Sequence, residues 1–300
     1  MNQSKQKLMQ SNVTIVGLGL MGGSLALALR NKCASITAIE TNKKTCKIAL
    51  ENNIVDHITD NLISEIQSTN ILILATPVRT IINTLVNLTE TNINNITDKI
   101  LVLDIGSTKT QIVSQMQLLP HPFIGIGGHP MCGKESAGIN NAEASLFQKA
   151  VFALTPTSNT NKEMIILAKE IVESIGSIPI ELDAKQHDCI TAFTSHLPYI
   201  LSCSLVSTIS NYSKSDPTIW KMVSSGFKDT TRLASSDIKM IVDILLTNKN
   251  AIKHALTQCR NELDEIEILL DKDSESLTTT LNNIRKTRNK YINTITNNSL

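Results

Sequence analysis

The sequence predicts an α/β, doubly wound domain over residues 1–182 followed by an all-α domain over residues 183–300. Three observations carry this reading: short β-branched apolar runs alternate with helical stretches in the first half, a glycine-rich loop joins the first run to the first helix, and no strand-like run follows Leu182. Val13–Val16, Ile36–Ile39, Ile71–Ala75, Ile100–Asp104, Phe123–Ile126, Val151–Thr155 and Ile178–Leu182 read as strands. Leu20–Arg30 and Lys43–Asn52 read as helices between them. Apolar runs without polar alternation belong to parallel strands covered on both faces. In the second half, Asp183 is a predicted N-cap with Gln186 in the capping-box position, opening a helix from Ala184 to about Ser210 interrupted only by Pro198. Asp216-Pro217 predicts a cap and first-turn proline, and Ser236 to about Leu270 and Leu277–Ile292 complete the helical half.

The first loop, in VTIVGLGLMGGSLALALR, spaces Gly17, Gly19 and Gly22 as G-x-G-x-x-G. Such glycines permit a tight turn, close approach of backbone to a pyrophosphate, and close helix packing. Leu20 and Met21 open a helix whose free N–H groups favour phosphate. Glu40 ends the second strand about 20 residues on, where a carboxylate accepts from ribose hydroxyls and repels a 2′-phosphate. The domain is therefore Rossmann-type and the expected cofactor is NAD, with Lys43 and Lys44 close enough to soften the preference over NADP. Thr76-Pro77, and Asp104, Gly106, Ser107 and Lys109, end further strands where ligands of such sheets bind, although Thr76-Pro77 is equally compatible with turn chemistry.

Composition narrows the function. Lys and Arg total 28 against 27 Asp and Glu, and aromatics are 3%, so neither phosphate neutralisation nor base stacking is indicated and no nucleic-acid partner is expected. The six cysteines include no C-x-x-C pair and suggest neither a disulfide framework nor a metal site. The N-terminal segment lacks the apolar core of a signal peptide, and the apolar runs are too short to span a bilayer. A cytoplasmic protein without membrane contact is the expectation.

Six histidines are present, and two stand in distinctive settings. His129, in GIGGHPMCGKES, is expected in a glycine-rich loop after a strand; His196, in TSHLP, is expected within a long helix. In GFKDTTRLASSD, a helix would put Lys228 and Arg232 on one face, with Asp229 three residues before Arg232 to hold its guanidinium. That face suits a dianionic substrate, with Arg232 forking a carboxylate; a merely solvated charged face fits the same pattern.

The segments GLGLMGGS, LATP, DIGSTK, GGHPMCGKESAG, the pair His187-Asp188, SHLPY and GFKDTTRLASSD, in this order, resemble the prephenate/arogenate (cyclohexadienyl) dehydrogenase family across nearly the whole chain. The resemblance implies NAD-dependent oxidative decarboxylation of prephenate to 4-hydroxyphenylpyruvate, with arogenate conversion to tyrosine as the alternative. It implies that His129 is the catalytic histidine bonded to the ring C4 hydroxyl, and that Ser107 positions it and the nicotinamide. It further implies that Arg232 binds a substrate carboxylate, that His196 and Lys228 belong to the substrate pocket, and that Glu135 stands near its entrance. It makes the helical half a homodimerisation domain. Cys132 and Thr230 depart from the residues usual at their positions, and Cys132 reads as a small packing residue. No fused mutase or complete regulatory domain is expected, which would leave tyrosine feedback to the active site.

Two rivals share parts of this pattern. A β-hydroxyacid dehydrogenase would place a catalytic lysine on the helix that opens the second domain, where this chain has His187 and His196 and only Lys185 at the start. A non-catalytic NAD-binding sensor would have no use for His129, Ser107 and Arg232 together.

Overall fold

The computed structural model describes residues 7–91 and 96–298. One eight-stranded sheet organises the chain up to Lys249. Its strands are β1 (Asn12–Val16), β2 (Ser35–Ile39), β3 (His57–Thr59), β4 (Ile71–Leu74), β5 (Ile100–Asp104), β6 (Phe123–Pro130), β7 (Val151–Pro156) and β8 (Ile178–Glu181). Their order is β3-β2-β1-β4-β5-β6-β7-β8, and every pairing is parallel except β6 with β7. Between them run α1 (Leu20–Leu29), α2 (Lys43–Glu51), α3 (Leu62–Glu65), α4 (Val78–Glu90), α5 (Thr110–Met116) and α6 (Lys162–Ser174).

The apolar runs are continuous because both faces of the sheet are covered. Ile71, Ile73, Leu101 and Leu103 face one core with Leu25 and Leu29 of α1 and Ile171 of α6. Leu72, Leu74, Ile100 and Val102 face a second core with Ile81 and Leu85 of α4 and Met116 of α5. Each such side chain contributes roughly 1.5–3 kcal/mol on burial, so the strand alternation and the helices fix one another.

Beyond β8 the chain is helical, with α7 (Ala184–Thr191), a π-helical turn (Ala192–His196), α8 (Leu197–Tyr212), α9 (Ser225–Thr231) and α10 (Ile238–Thr247). Asp183 caps α7 by accepting from the N–H groups of Lys185 and Gln186. The expected break at Pro198 is absent: the chain runs from the π turn straight into α8, whose second residue is Pro198. The irregularity falls earlier, in the π turn. By length and composition alone, an 18-residue window of the helical run Ala184–Tyr212 could cross a membrane, a test that the core helix of a soluble protein passes as well. Asp216-Pro217 opens only a 3-10 turn, and the helix expected from Ser236 to about Leu270 is split at Asn248.

The chain divides into two compact units at the Lys249–Asn250 boundary. The second is made of α11 (Lys249–Leu270) and α12 (Ser274–Asn298), with Asp273 accepting from the Ser276 N–H at the start of α12. It leaves Leu263, Ile268, Leu270, Leu281 and Ile284 exposed.

Candidate active site

The cofactor loop takes the form its spacing predicts. Gly17 has φ +93°, a left-handed conformation that a side chain would strain. A Cβ on Gly22 would lie 2.0 Å from the Gly17 carbonyl oxygen, so only glycine lets α1 start this close to β1. A Cβ on Gly19 would meet nothing within 4 Å. The N–H groups of Leu20, Met21 and Gly22, at the start of α1, have no intrahelical acceptor. Beside the loop, the buried Thr76 hydroxyl has no partner, and Pro77 precedes α4. Glu40 accepts from the N–H groups of Leu18 (3.1 Å), Thr41 (2.9 Å) and Asn42 (2.8 Å), which leaves about one of its four acceptor positions for a ribose. Open space, free donors and an orphaned hydroxyl at a glycine turn fit a dinucleotide.

His129 does not follow a strand, as the sequence suggested; it lies within β6, opposite Ala153 of β7. The glycines before it serve the protein itself. A Cβ on Gly128 would stand 2.4 Å from the Asp104 carbonyl oxygen, so the glycine admits β5, not a ligand. His129 Nδ1 is 2.9 Å from His187 Nε2, and His187 Nδ1 is 2.9 Å from Asp188 Oδ1. Asp188 also accepts from the backbone N–H groups of Lys109 (2.7 Å) and Thr110 (2.8 Å) at the start of α5. Burial raises the Asp188 pKa, but these donors outweigh it and hold the carboxyl below its ordinary value. Desolvation, with His187, Lys109 and His196 nearby, pushes His129 well below the usual histidine value. The ring is therefore neutral at pH 7, and the acid limb of activity is expected below pH 6.5; a limb at pH 7 or above would contradict this environment.

A second buried pair lies beneath. Lys109 and Asp104 are fully buried and bonded to each other. Lys109 Nζ also donates to the Gly128 carbonyl (2.6 Å), while Asp104 accepts from the N–H groups of Gly128 (3.0 Å) and Gly106 (2.7 Å). Burial pushes the carboxyl up and the ammonium down, against their mutual attraction. Ser107 sits between these two residues, on the loop from β5 to α5.

His196 closes the π turn, buried, with its Nδ1 3.2 Å from Asn248 Nδ2. The same amide nitrogen donates to the Asp188 carbonyl oxygen at 2.7 Å. Desolvation, helped by His187 and opposed by Asp188, lowers the His196 pKa to about 4. Its native state binds fewer protons than its unfolded state between pH 6.5 and about 4. Stability conferred by the neutral ring is thus complete above pH 6.5 and is lost on acidification, by about 1.4 kcal/mol per pH unit. Urea midpoints from pH 7 to 5 should fall less steeply in His196→Gln than in the parent; parallel slopes would contradict this.

Arg232 lies just past α9, in a 3-10 turn, and bonds Glu135 rather than Asp229. The i, i+3 partner expected on a continuous helix loses its geometry when the helix tightens at Thr231. Both members of the Arg232–Glu135 pair are exposed, as is Lys228 on α9. No direct bond joins them to the histidine cluster among the described residues. Burial lifts the Cys132 thiol to about 11, which fits packing and not nucleophilic chemistry. Among the described residues, no three His, Cys, Asp or Glu side chains gather to hold a metal ion.

A dinucleotide loop on a doubly wound sheet, with a neutral histidine among buried acid and base groups and a helical second half, defines an NAD-dependent oxidoreductase. The comparisons narrow the class. Residues 25–180 match the nucleotide-binding domain of prephenate dehydrogenase, and residues 183–283 match its dimerisation domain. The chain belongs to the prephenate dehydrogenase family. It is 33% identical over 273 residues to the prephenate dehydrogenase of Bacillus subtilis, covering 90% of this chain and 73% of that protein. It is similar to the crystal structure of Aquifex aeolicus prephenate dehydrogenase in complex with hydroxyphenyl propionate and NAD+, with a TM-score of 0.85, 30% identity, and coverage of 94% of this chain and 98% of that one. It is also similar to Synechocystis arogenate dehydrogenase, with a TM-score of 0.82, 30% identity, and coverage of 93% and 99%.

Proposed function

We propose that this protein catalyses the NAD-dependent oxidative decarboxylation of prephenate to 4-hydroxyphenylpyruvate, with hydride loss from ring C4 and loss of CO2. The observation that carries the reading is the neutral, half-buried His129, bonded through Nδ1 to His187, in a chain of this family. Gly17, Gly19, Leu20, Met21, Gly22, Glu40, Thr76 and Pro77 would hold NAD+. The bound cofactor supplies the acceptor for the hydride. His129 accepts a hydrogen bond from the C4 hydroxyl and takes its proton as that oxygen becomes a carbonyl, and Ser107 would position this histidine and the bound nicotinamide. His196 and Lys228 line the substrate side of the site.

Arg232 binds a substrate carboxylate, and Glu135 is the partner it gives up. An exposed pair of this kind is worth at most about 1 kcal/mol, less than a forked, charge-assisted bond to substrate. Arg232→Ala should raise KM about 10- to 100-fold, from the roughly 1.5–3 kcal/mol of a charged hydrogen bond, with a smaller change in kcat. An unchanged KM would mean that this face is only solvated.

The division into a cofactor half, residues 1–182, and a helical half, residues 183–300, is supported by the two family models, which meet near residue 182. Homodimerisation through the helical half is supported by the second of them and by exposed Phe193, Leu201 and Leu246. A cytoplasmic location suits the six unpaired cysteines. The likeness to an arogenate dehydrogenase keeps arogenate as the second substrate reading. Equal yields of CO2 and NADH from prephenate test the reaction class; NADH without CO2 would indicate simple dehydrogenation.

A further inference from the structure

Two buried residues beside the proposed base have no function so far: His187 and Asp188. We propose that they are positioning residues which fix His129 in its Nδ1–H tautomer, so that Nε2 is the nitrogen left bare to receive a proton. The inference rests on reading His129 as the base.

Donors and acceptors along the chain of contacts fix the tautomer. An ionised carboxylate only accepts. Asp188 already accepts from the backbone N–H groups of Lys109 and Thr110, which a protonated acid could not match. Its contact with His187 Nδ1 at 2.9 Å therefore requires the proton on that nitrogen. A neutral His187 is then bare at Nε2 and can only accept. Its contact with His129 Nδ1, also 2.9 Å, requires the proton on His129 Nδ1. In a neutral ring that leaves His129 Nε2 without one. When the substrate O–H bond breaks and an N–H bond forms at Nε2, the new imidazolium keeps its Nδ1–H bond to His187, which leads to the Asp188 charge. An orienting carboxylate behind a catalytic histidine works by this logic in other enzymes, although here a second imidazole stands between them.

The backbone supports the same geometry. Lys109 joins both ends of the chain: its N–H meets Asp188, and its ammonium meets the carbonyl of Gly128, the residue before His129. The ring of His129 is thus set from α7 and its main chain from β5 and α5. A histidine held only for packing would need neither the ordered donors at Asp188 nor a bare partner nitrogen.

The test uses two-bond 1H–15N correlation spectra of the full chain labelled at histidine nitrogens, with His129 assigned by its loss in His129→Asn. The proposal expects the Nδ1–H tautomer for His129 in the parent protein, and the Nε2–H form or a mixture in His187→Phe. An Nε2–H tautomer in the parent, which a doubly protonated His187 would produce, overturns it, as does a tautomer unaffected by His187→Phe. This readout needs no turnover, so it stands apart from any failure of the substrate reading. In kinetics, His187→Phe should lower kcat about 100-fold with KM within about threefold, within the range of general-base effects. His187→Gln, whose side-chain oxygen can still accept from Nδ1–H, should regain a large part of the loss. Equal losses in both variants would assign His187 a packing role and overturn the proposal.

Discussion

His129→Asn is expected to lower kcat by roughly 10²–10⁴-fold, the usual range for loss of a general base, while KM changes little. Asparagine can still bond His187 from the position of Nδ1, so the neighbouring helix stays anchored and the pocket keeps its shape. What disappears is the basic nitrogen. Without it, the C4 hydroxyl has no positioned group to take its proton as hydride leaves, and water must serve instead. Steady-state NADH production with saturating cofactor measures the effect. A kcat within about tenfold of the parent would remove His129 from the chemistry.

The second large effect is on stability. Lys109→Met should destabilise the protein by about 3–5 kcal/mol, the cost of leaving one member of a buried ion pair without its partner. Methionine fills the same stem volume, so the loss reports charge and hydrogen bonds, not a cavity. Asp104 would remain fully buried, with two backbone donors and no cation, and the Gly128 carbonyl would lose its ammonium. Thermal melting should move down by roughly 10 °C, using about 2–4 °C per kcal/mol for a domain of this size. Adding Asp104→Asn to Lys109→Met should restore part of the stability, because the uncompensated charge is then gone. A single variant within 1 kcal/mol of the parent, or a double variant less stable than the single, would contradict this account of the pair.

The parts of the molecule that were legible in the sequence are those where local pattern and tertiary role coincide. Ile71–Leu74 and Ile100–Asp104 are apolar at every buried position because helices cover both faces, and that pattern needs no knowledge of the partners. The Gly17–Gly22 loop reads correctly because its conformation is set within six residues. Three features escaped for physical reasons. β3 (His57–Thr59) is short, lies at the sheet edge and has only one neighbour, so nothing demands apolar residues there. β6 extends to Pro130 through glycines that look like a loop, and their need is visible only once β5 and β7 are in place.

The third is the π turn before Leu197, which shifts backbone bonding without a distinctive local sequence and sets His196 against Asn248. Such turns recur at functional sites. The site was half legible for the same reason. His129 and Arg232 stand out in their motifs and Glu135 is implied by the family resemblance, but the pairing of Arg232 with Glu135, 97 residues away, is a tertiary fact. His187 and Asp188 were seen as adjacent letters whose bonds to His129 and to the start of α5 only the fold reveals. The scarcity of histidine, six in 300 residues, was the signal in the sequence; that three of them gather in one place is visible only in the fold.

The central claim is the identity of the reaction, and NADH formation by the purified protein with NAD+ and prephenate, run beside the same assay with arogenate, tests it most directly. Turnover with prephenate is expected, with 4-hydroxyphenylpyruvate as the product. Turnover with arogenate alone would keep His129 as base and move the product to tyrosine. Silence with both substrates, in a folded protein that binds NAD+, would contradict the account and favour a cofactor sensor.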